Sequence, residues 1–185
     1  MNNIRHYVEY YRISHSQFLV RQGSVVISST RTGRKEAYIG MEIWKLLNNF
    51  TEKENWGASE KMNPVLLLLL DKLRDKVGHI FRINCGYSTD GHATKSQHYL
   101  GNAVDFVVVG TSFDQADRLL QEALLELKVE DEVGLGCYPF WNTPGFHLDI
   151  RGVRARWGRN SKGEYVSYDC AVKEYLDAYQ KPRVV

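Results

Sequence analysis

Three side chains that lie far apart in the sequence have the types and surroundings of metal ligands. His98 precedes Asp105 by seven residues, and Gly101 between them would let the chain fold back and bring the two side chains together. His147 lies much later, in an apolar segment. Two imidazoles and one carboxylate form a ligand set that zinc accepts, and a fourth position left for water would make the site a catalytic one. The alternatives are a structural hydrogen bond between His98 and Asp105 and a core histidine at position 147.

Two predicted strands would hold these side chains. The short β-branched run after Asp105 ends at Gly110 and indicates a buried strand. Residues 145–150 alternate apolar and polar side chains, so His147 and Asp149 would point to the same face of a second strand. A glycine-interrupted strand over residues 133–138 would form a hairpin with it.

Helical patterns lie between and around these strands. Asn63 and Pro64 form a good helix start, and a leucine-rich helix follows them. Ser112 and Gln115 predict a capping box before a second helix, and a last helix is predicted over residues 168–179. Because strands and helices do not alternate regularly, we predict an α+β fold. It would have an antiparallel sheet with helices packed on one face and the site on the open face.

The sequence predicts a boundary near residue 40. Residues 1–40 are interpreted as a β-rich, basic N-terminal extension, and residues 41–185 as the main domain, including the C-terminal helix. A short helix is expected over residues 41–50. Strands of the extension are predicted at residues 17–20, 24–28 and 37–39.

Composition excludes some classes of protein. The formal net charge of +2 over 185 residues argues against a dedicated nucleic-acid binder. The three cysteines are scattered and form no C-x-x-C pair, which indicates free thiols in a reducing compartment rather than a thiolate zinc site. No signal peptide and no membrane span are predicted, so we expect synthesis in the cytoplasm. The oligomeric state is left open.

The candidate ligands lie in motifs that resemble those of a known family, the zinc D-Ala-D-Ala peptidases, which share a fold with the hedgehog signalling domain. The likeness covers roughly residues 49–159, and the phage-associated members of the family are the most similar branch. The matching motifs are Ser96-x-His98-x-x-Gly101-x-Ala103-x-Asp105, Gly136-x-Tyr138-Pro139 and Phe146-His147-x-Asp149-x-Arg151-Gly152.

The resemblance implies a function as well as a fold. It implies that His98, Asp105 and His147 bind Zn²⁺, and that the protein hydrolyses peptide bonds in the stem peptides or cross-links of bacterial peptidoglycan. A phage lysis or tail-associated enzyme could reach the cell wall after release or as part of a virion. The alternative is a non-catalytic wall-binding or structural module of a phage assembly that keeps the fold.

Two departures from the family pattern affect the predicted site. Where many members have an acidic general base, three residues before the last histidine, this chain has Pro144. Asp149 is the candidate substitute, although it could instead orient a ligand or coordinate the metal in place of His147. The family's substrate-holding arginine is replaced by Ser88.

Other side chains are therefore candidates for the remaining roles. Arg82 or Arg151 would bind the substrate in place of the missing arginine. Tyr138 would donate a hydrogen bond to the tetrahedral intermediate, or would simply pack in the core. His92, in a polar loop, is a candidate proton shuttle or an exposed residue without a role.

Overall fold

The N-terminal region contains a small antiparallel sheet. The computed structural model describes residues 43–179 in full and, before them, the backbone of three strands in the order β1-β2-β3. Two of these strands correspond to the strands predicted at residues 17–20 and 24–28, whereas the strand predicted at residues 37–39 lies outside the described residues. The domain boundary near residue 40 stays a prediction. The three strands are β1 (Glu9–Ile13), β2 (Ser16–Arg21) and β3 (Ser24–Ser29).

A six-stranded sheet forms the centre of the described chain, in the order β4-β5-β7-β6-β8-β9. Every neighbouring pair is antiparallel except β6 and β8, which run parallel. Because β7 is already flanked by β5 and β6, the strand that follows it in sequence cannot pair with it, and that strand joins the sheet beyond β6. The six strands are β4 (Ile80–Cys85), β5 (Ala103–Val109), β6 (Gly134–Tyr138), β7 (Gly145–Asp149), β8 (Ala155–Arg159) and β9 (Tyr165–Val166).

The α+β class and the β6–β7 hairpin are therefore confirmed, but the wholly antiparallel sheet is wrong in one pair. Helices α1 (Pro64–Val77), α2 (Phe113–Leu127) and α3 (Tyr168–Tyr179) are present as predicted. The Asn63 side chain caps α1 by accepting a hydrogen bond from the Val65 N–H. The capping box predicted for α2 does not form, because the Ser112 side chain makes no cap hydrogen bond.

The helix predicted over residues 41–50 is also wrong within the described residues, where only one 3-10 turn, Ile43–Lys45, is present. The reason lies in the competing acceptor that α1 offers. The backbone N–H groups of Asn48 and Asn49 donate to the buried Asp71 carboxylate, at 3.1 and 2.8 Å, instead of to preceding carbonyl groups.

The helices cover one face of the sheet, and the predicted ligands lie on the other. On the covered face, the Phe106 ring of β5 stacks on Phe81 of β4 at 4.8 Å. The Phe113 ring of α2 stacks on Phe146 of β7 at 5.0 Å and contacts Tyr175 of α3. Since strand residues alternate between faces, Asp105 and His147, the sequence neighbours of Phe106 and Phe146, must point to the opposite face.

A tight turn connects His98 to β5. His98 lies on the 3-10 helix Gln97–Leu100, which ends at Gly101 with a φ of +69°. The Gly101 carbonyl accepts a hydrogen bond from the Asn63 N–H at 2.9 Å, and a Cβ atom at Gly101 would collide with the carbonyl oxygen of Lys61. Glycine is thus required here for both its positive φ and its missing side chain.

We predict that Gly101→Ala destabilises the protein far more than Gly163→Ala does. Gly163 has a similar φ of +80° with open space around its Cα, so alanine there should cost only about 1 kcal/mol. At Gly101 the steric clash adds to that strain, and the loss should reach about 3 kcal/mol or more. Urea denaturation of both variants measures the difference, and equal losses would contradict this account of the turn.

Candidate metal centre

The three predicted ligands converge on one point. The Asp105 Oδ1 atom lies 2.8 Å from His147 Nδ1 and 3.4 Å from His98 Nε2, and these two nitrogens are 3.2 Å apart. Ligand atoms bound to one tetrahedral zinc are separated by about 3.3 Å, since each lies about 2.0 to 2.2 Å from the metal. The spacing and the donor set therefore fit a divalent metal ion, and the described part of the chain contains a cluster that could bind one.

Strand register accounts for two of the three positions. Asp105 on β5 and His147 on β7 are direct partners in the antiparallel ladder, so their side chains lie side by side on the open face. His98 reaches the same point from the 3-10 helix before β5 and is almost completely buried. The ligands are thus held by a sheet and by a glycine-ended turn.

Hydrogen bonds to the far side of each imidazole select the nitrogen that faces the centre. His98 Nδ1 lies 2.6 Å from the Gly86 carbonyl oxygen, which can only accept, so Nδ1 carries a proton. His147 Nε2 lies 3.0 Å from Asp149 Oδ2 and donates to it in the same way. The lone pairs of His98 Nε2 and His147 Nδ1 can then both point at a metal ion.

Asp149 has no exposed surface, and its carboxylate is fully engaged. Arg151 binds it through two hydrogen bonds, Nε to Oδ1 at 2.7 Å and a terminal nitrogen to Oδ2 at 2.5 Å. Burial alone would raise the pKa of Asp149, but Arg151 and His147 lower it to about 2, so the group is ionised at neutral pH. Of the roles that the sequence left open for Asp149, these contacts favour orientation of His147.

The glycines of β6 make room for this arrangement. A Cβ atom at Gly134 would lie 2.5 Å from Asp149 Oδ2 and 2.7 Å from Arg151 Nε. A Cβ atom at Gly136 would lie 2.7 Å from the Trp157 ring, which packs 5.2 Å from the His147 ring. The glycine-interrupted strand that the sequence predicts thus allows side chains of β7 and β8 to lie flat over β6.

The centre lies in a cleft of about 570 Å³ with an aromatic wall. Tyr138 stacks on Trp141 at 4.1 Å, and its hydroxyl oxygen accepts a hydrogen bond from Trp157 Nε1 at 2.9 Å. Burial raises the pKa of Tyr138, so the hydroxyl keeps its proton at neutral pH. The Tyr138 hydroxyl accepts from Trp157 and donates to no described residue, so its proton can form a hydrogen bond to a bound molecule.

The two arginines predicted to bind substrate lie in different surroundings. Arg151 lines the cleft but is committed to Asp149. Arg82 lies on β4, an edge strand of this sheet, where its side chain is exposed and is not among the residues that line the cleft. Because β4 is separated from β7 by β5, Arg82 is one strand farther from the centre than Asp105. Arg159 of β8, which the sequence did not predict as a site residue, does line the cleft.

Sequence reasoning also missed a group beside His98. The Cys85 Sγ atom lies 3.8 Å from His92 Nε2 and 3.9 Å from His98 Nδ1, and the two histidine rings stack at 4.2 Å. These donor atoms could in principle hold a metal ion as well. His98 Nδ1 is already bonded to the Gly86 carbonyl, however, so we assign the metal centre to the side of His98 that faces Asp105. All three cysteines are free thiols, as predicted.

Without a metal ion the centre forms a charged cluster. Burial alone would lower the pKa of His98, but hydrogen bonds and the nearby Asp105 charge raise it to about 10. Burial alone would raise the pKa of Asp105, but the two histidines lower it well below its usual range. At neutral pH the metal-free protein therefore holds protonated His98 against ionised Asp105.

Comparisons with known proteins leave the family open: no family model matches this chain, and none of the curated proteins matches it. Among the described residues, every helix is too short or too polar to cross a bilayer.

We predict that Asp149→Asn lowers zinc affinity by about tenfold to a hundredfold, because an amide orients His147 and binds Arg151 less well than a carboxylate. Asp131→Asn is the matched control, since Asp131 is exposed and its ion pair among the described residues is a long one, 3.6 Å from Arg154. Competition against a chromophoric chelator measures both affinities. Equal zinc affinities for the two variants would show that Asp149 does not orient His147 for metal binding.

We also predict that zinc binding at pH 7 releases at least about one proton per metal ion. With a folded pKa near 10 against 6.5 in the unfolded chain, His98 stabilises the metal-free protein below pH 6.5 and loses this contribution as pH rises through 10. The metal must displace that proton, so apparent affinity should rise between pH 6 and pH 9. Titration calorimetry in buffers of different ionisation enthalpy counts the protons, and a binding enthalpy independent of the buffer would contradict the prediction.

Proposed function

We propose that this chain is a zinc-dependent peptidase that hydrolyses peptide bonds in the stem peptides or cross-links of bacterial peptidoglycan. The observation that carries the proposal is the convergence of His98, Asp105 and His147, each with one potential ligand atom facing the same point beside an open cleft. Two nitrogens and one carboxylate oxygen form the ligand set of an open zinc site. The motifs that resemble the D-Ala-D-Ala peptidases support the substrate class and the hedgehog/DD-peptidase-like fold, and their phage-associated branch supports a lysis or tail-associated role.

The ligand residues would hold the ion, and other residues would act on the substrate. A bound zinc would polarise the scissile carbonyl and lower the pKa of a water molecule. Asp149 would keep His147 in the correct tautomer without touching the substrate. Tyr138 would donate its hydroxyl proton in a hydrogen bond to the oxygen that becomes negatively charged when the carbonyl is attacked.

The cleft offers one candidate for the group that accepts a proton from the attacking water. The only carboxylates among its described lining and supporting residues are Asp105, a proposed ligand, and Asp149, which is bonded to Arg151 and His147. His92 lines the cleft and stacks on His98, and burial together with the nearby His98 charge lowers its pKa. A neutral His92 imidazole would be able to accept a proton at neutral pH.

One observation favours a second candidate function. A wall-binding module without activity would need the cleft but no general base. Both described carboxylates at the centre, Asp105 and Asp149, are bound to other side chains, which is consistent with such a module. The chain would then use the metal to shape a binding surface in a larger phage assembly.

We expect purified zinc-loaded protein to release peptide fragments with new amino termini from bacterial peptidoglycan, and His98→Ala to abolish the release. His79→Ala is the matched control, because His79 lies outside the cleft. Labelling of new amino termini followed by mass spectrometry measures the products. Turnover that survives thorough chelation would exclude the metallopeptidase, and tight binding to peptidoglycan without cleavage would favour the second candidate.

A further inference from the structure

One cationic side chain of the cleft is half-buried and forms no ion pair with any described residue. Three cationic side chains line the cleft: Lys95, Arg151 and Arg159. Lys95 lies on an exposed loop, and Arg151 is neutralised by Asp149. No described carboxylate forms an ion pair with Arg159, whose guanidinium group lies 4.5 Å from the centroid of the Tyr165 ring.

The Arg159 Nε atom is buried and has no hydrogen-bond acceptor. A buried donor left without an acceptor costs about 1 to 3 kcal/mol, so folded proteins rarely retain one without a reason. Among the described residues, buried side-chain atoms in this condition also occur at Thr111, Glu130 and Arg156, none of which lines the cleft. Arg159 is thus a half-buried cation that faces a cleft and lacks an acceptor.

Sheet register places Arg159 at a defined distance from the metal centre. Trp157 on β8 is opposite Gly136 on β6, which is opposite His147 on β7. Arg159 lies two residues farther along β8, on the same face as Trp157. Two strand spacings of about 4.8 Å and a step of about 6.7 Å along the strand put its Cα about 12 Å from that of His147. A peptide residue spans at most about 3.6 Å, so this distance and the reach of an arginine correspond to a few residues of bound peptide.

We propose that Arg159 anchors a free carboxylate of the peptide substrate, within a few residues of the bond that is cut. The planar guanidinium fork matches a carboxylate with two parallel hydrogen bonds, which its two terminal nitrogens would donate because the Nε atom is buried beyond the reach of a ligand. The Tyr165 ring, 4.5 Å away, holds the guanidinium group by a cation–π contact. This inference rests on the proposed peptidase function for the identity of the ligand, and it moves the substrate anchor from Arg82 and Arg151 to β8.

Binding of paired acid and amide probes tests the anchor without requiring cleavage. The first pair is diacetyl-L-lysyl-D-alanyl-D-alanine and its C-terminal amide, and the second is L-alanyl-D-isoglutamate and its isoglutamine analogue. We expect wild-type protein to bind one of the two acids at least about tenfold more tightly than its amide. The preferred pair reports whether the carboxylate is a chain end or a branch.

Arg159→Gln should remove that preference, and Arg159→Lys should retain only part of it, because lysine keeps the charge and loses the fork. Arg82→Gln is the matched control, since Arg82 is an exposed arginine outside the cleft, and it should keep the full preference. Titration calorimetry gives the dissociation constants, and thermal unfolding verifies that each variant is folded. A preference that survives in Arg159→Gln, or no preference for either acid in wild type, would overturn the assignment.

The proposed carboxylate anchor and the proposed peptidase function can be refuted separately. If the acid preference depends on Arg159 but no peptide is cut, the carboxylate subsite stands and the hydrolase proposal fails. If peptides are cut and Arg159→Gln leaves the acid-to-amide ratio of kcat/KM unchanged, the hydrolase stands and Arg159 is not the anchor.

Discussion

The candidate metal centre depends on two hydrogen bonds that lie outside it. The Gly86 carbonyl holds a proton on His98 Nδ1, and the Asp149 carboxylate holds one on His147 Nε2. Each bond leaves the other ring nitrogen able to face Asp105 with a lone pair. If either imidazole turned over, a donor would face the site of a cation, and the cluster could not serve as a ligand set. The backbone at Gly86 and the pair of Asp149 with Arg151 are therefore as necessary as the ligands.

The open face of the sheet is built around the small residues of β6. With no side chains at Gly134 and Gly136, the Asp149–Arg151 pair and the Trp157 ring can approach the strand backbone directly. The same space brings Trp157 within hydrogen-bond reach of Tyr138. Orientation of His147 and the position of Trp157 in the aromatic wall thus share one structural cause, a strand with glycine at two of its three positions on that face.

Much of the fold could be predicted because its signals are local. The cap residue Asn63, the leucine-rich helix after it and the alternation around His147 each report the state of a few neighbouring residues. The predictions that failed depended on distant partners. Asp71 on α1 took the backbone donors of the expected helix over residues 41–50. Strand β8 could not pair with β7, which lies between β5 and β6, and it pairs with β6 in parallel instead. Such competition leaves no trace in a local pattern.

The sequence by itself determined which residues could be ligands, because the spacing of His98 and Asp105 around Gly101 and the strand pattern around His147 allow convergence on one face. Only the tertiary structure decided how the remaining polar residues are used. Whether Asp149 is free or bonded, whether Arg82 reaches the cleft and whether Arg159 has a partner all depend on contacts across strands that are far apart in the chain. The sequence specifies the type of each side chain. Whether that side chain is available to bind a ligand depends on its neighbours in space, which are determined by packing between segments far apart in the chain.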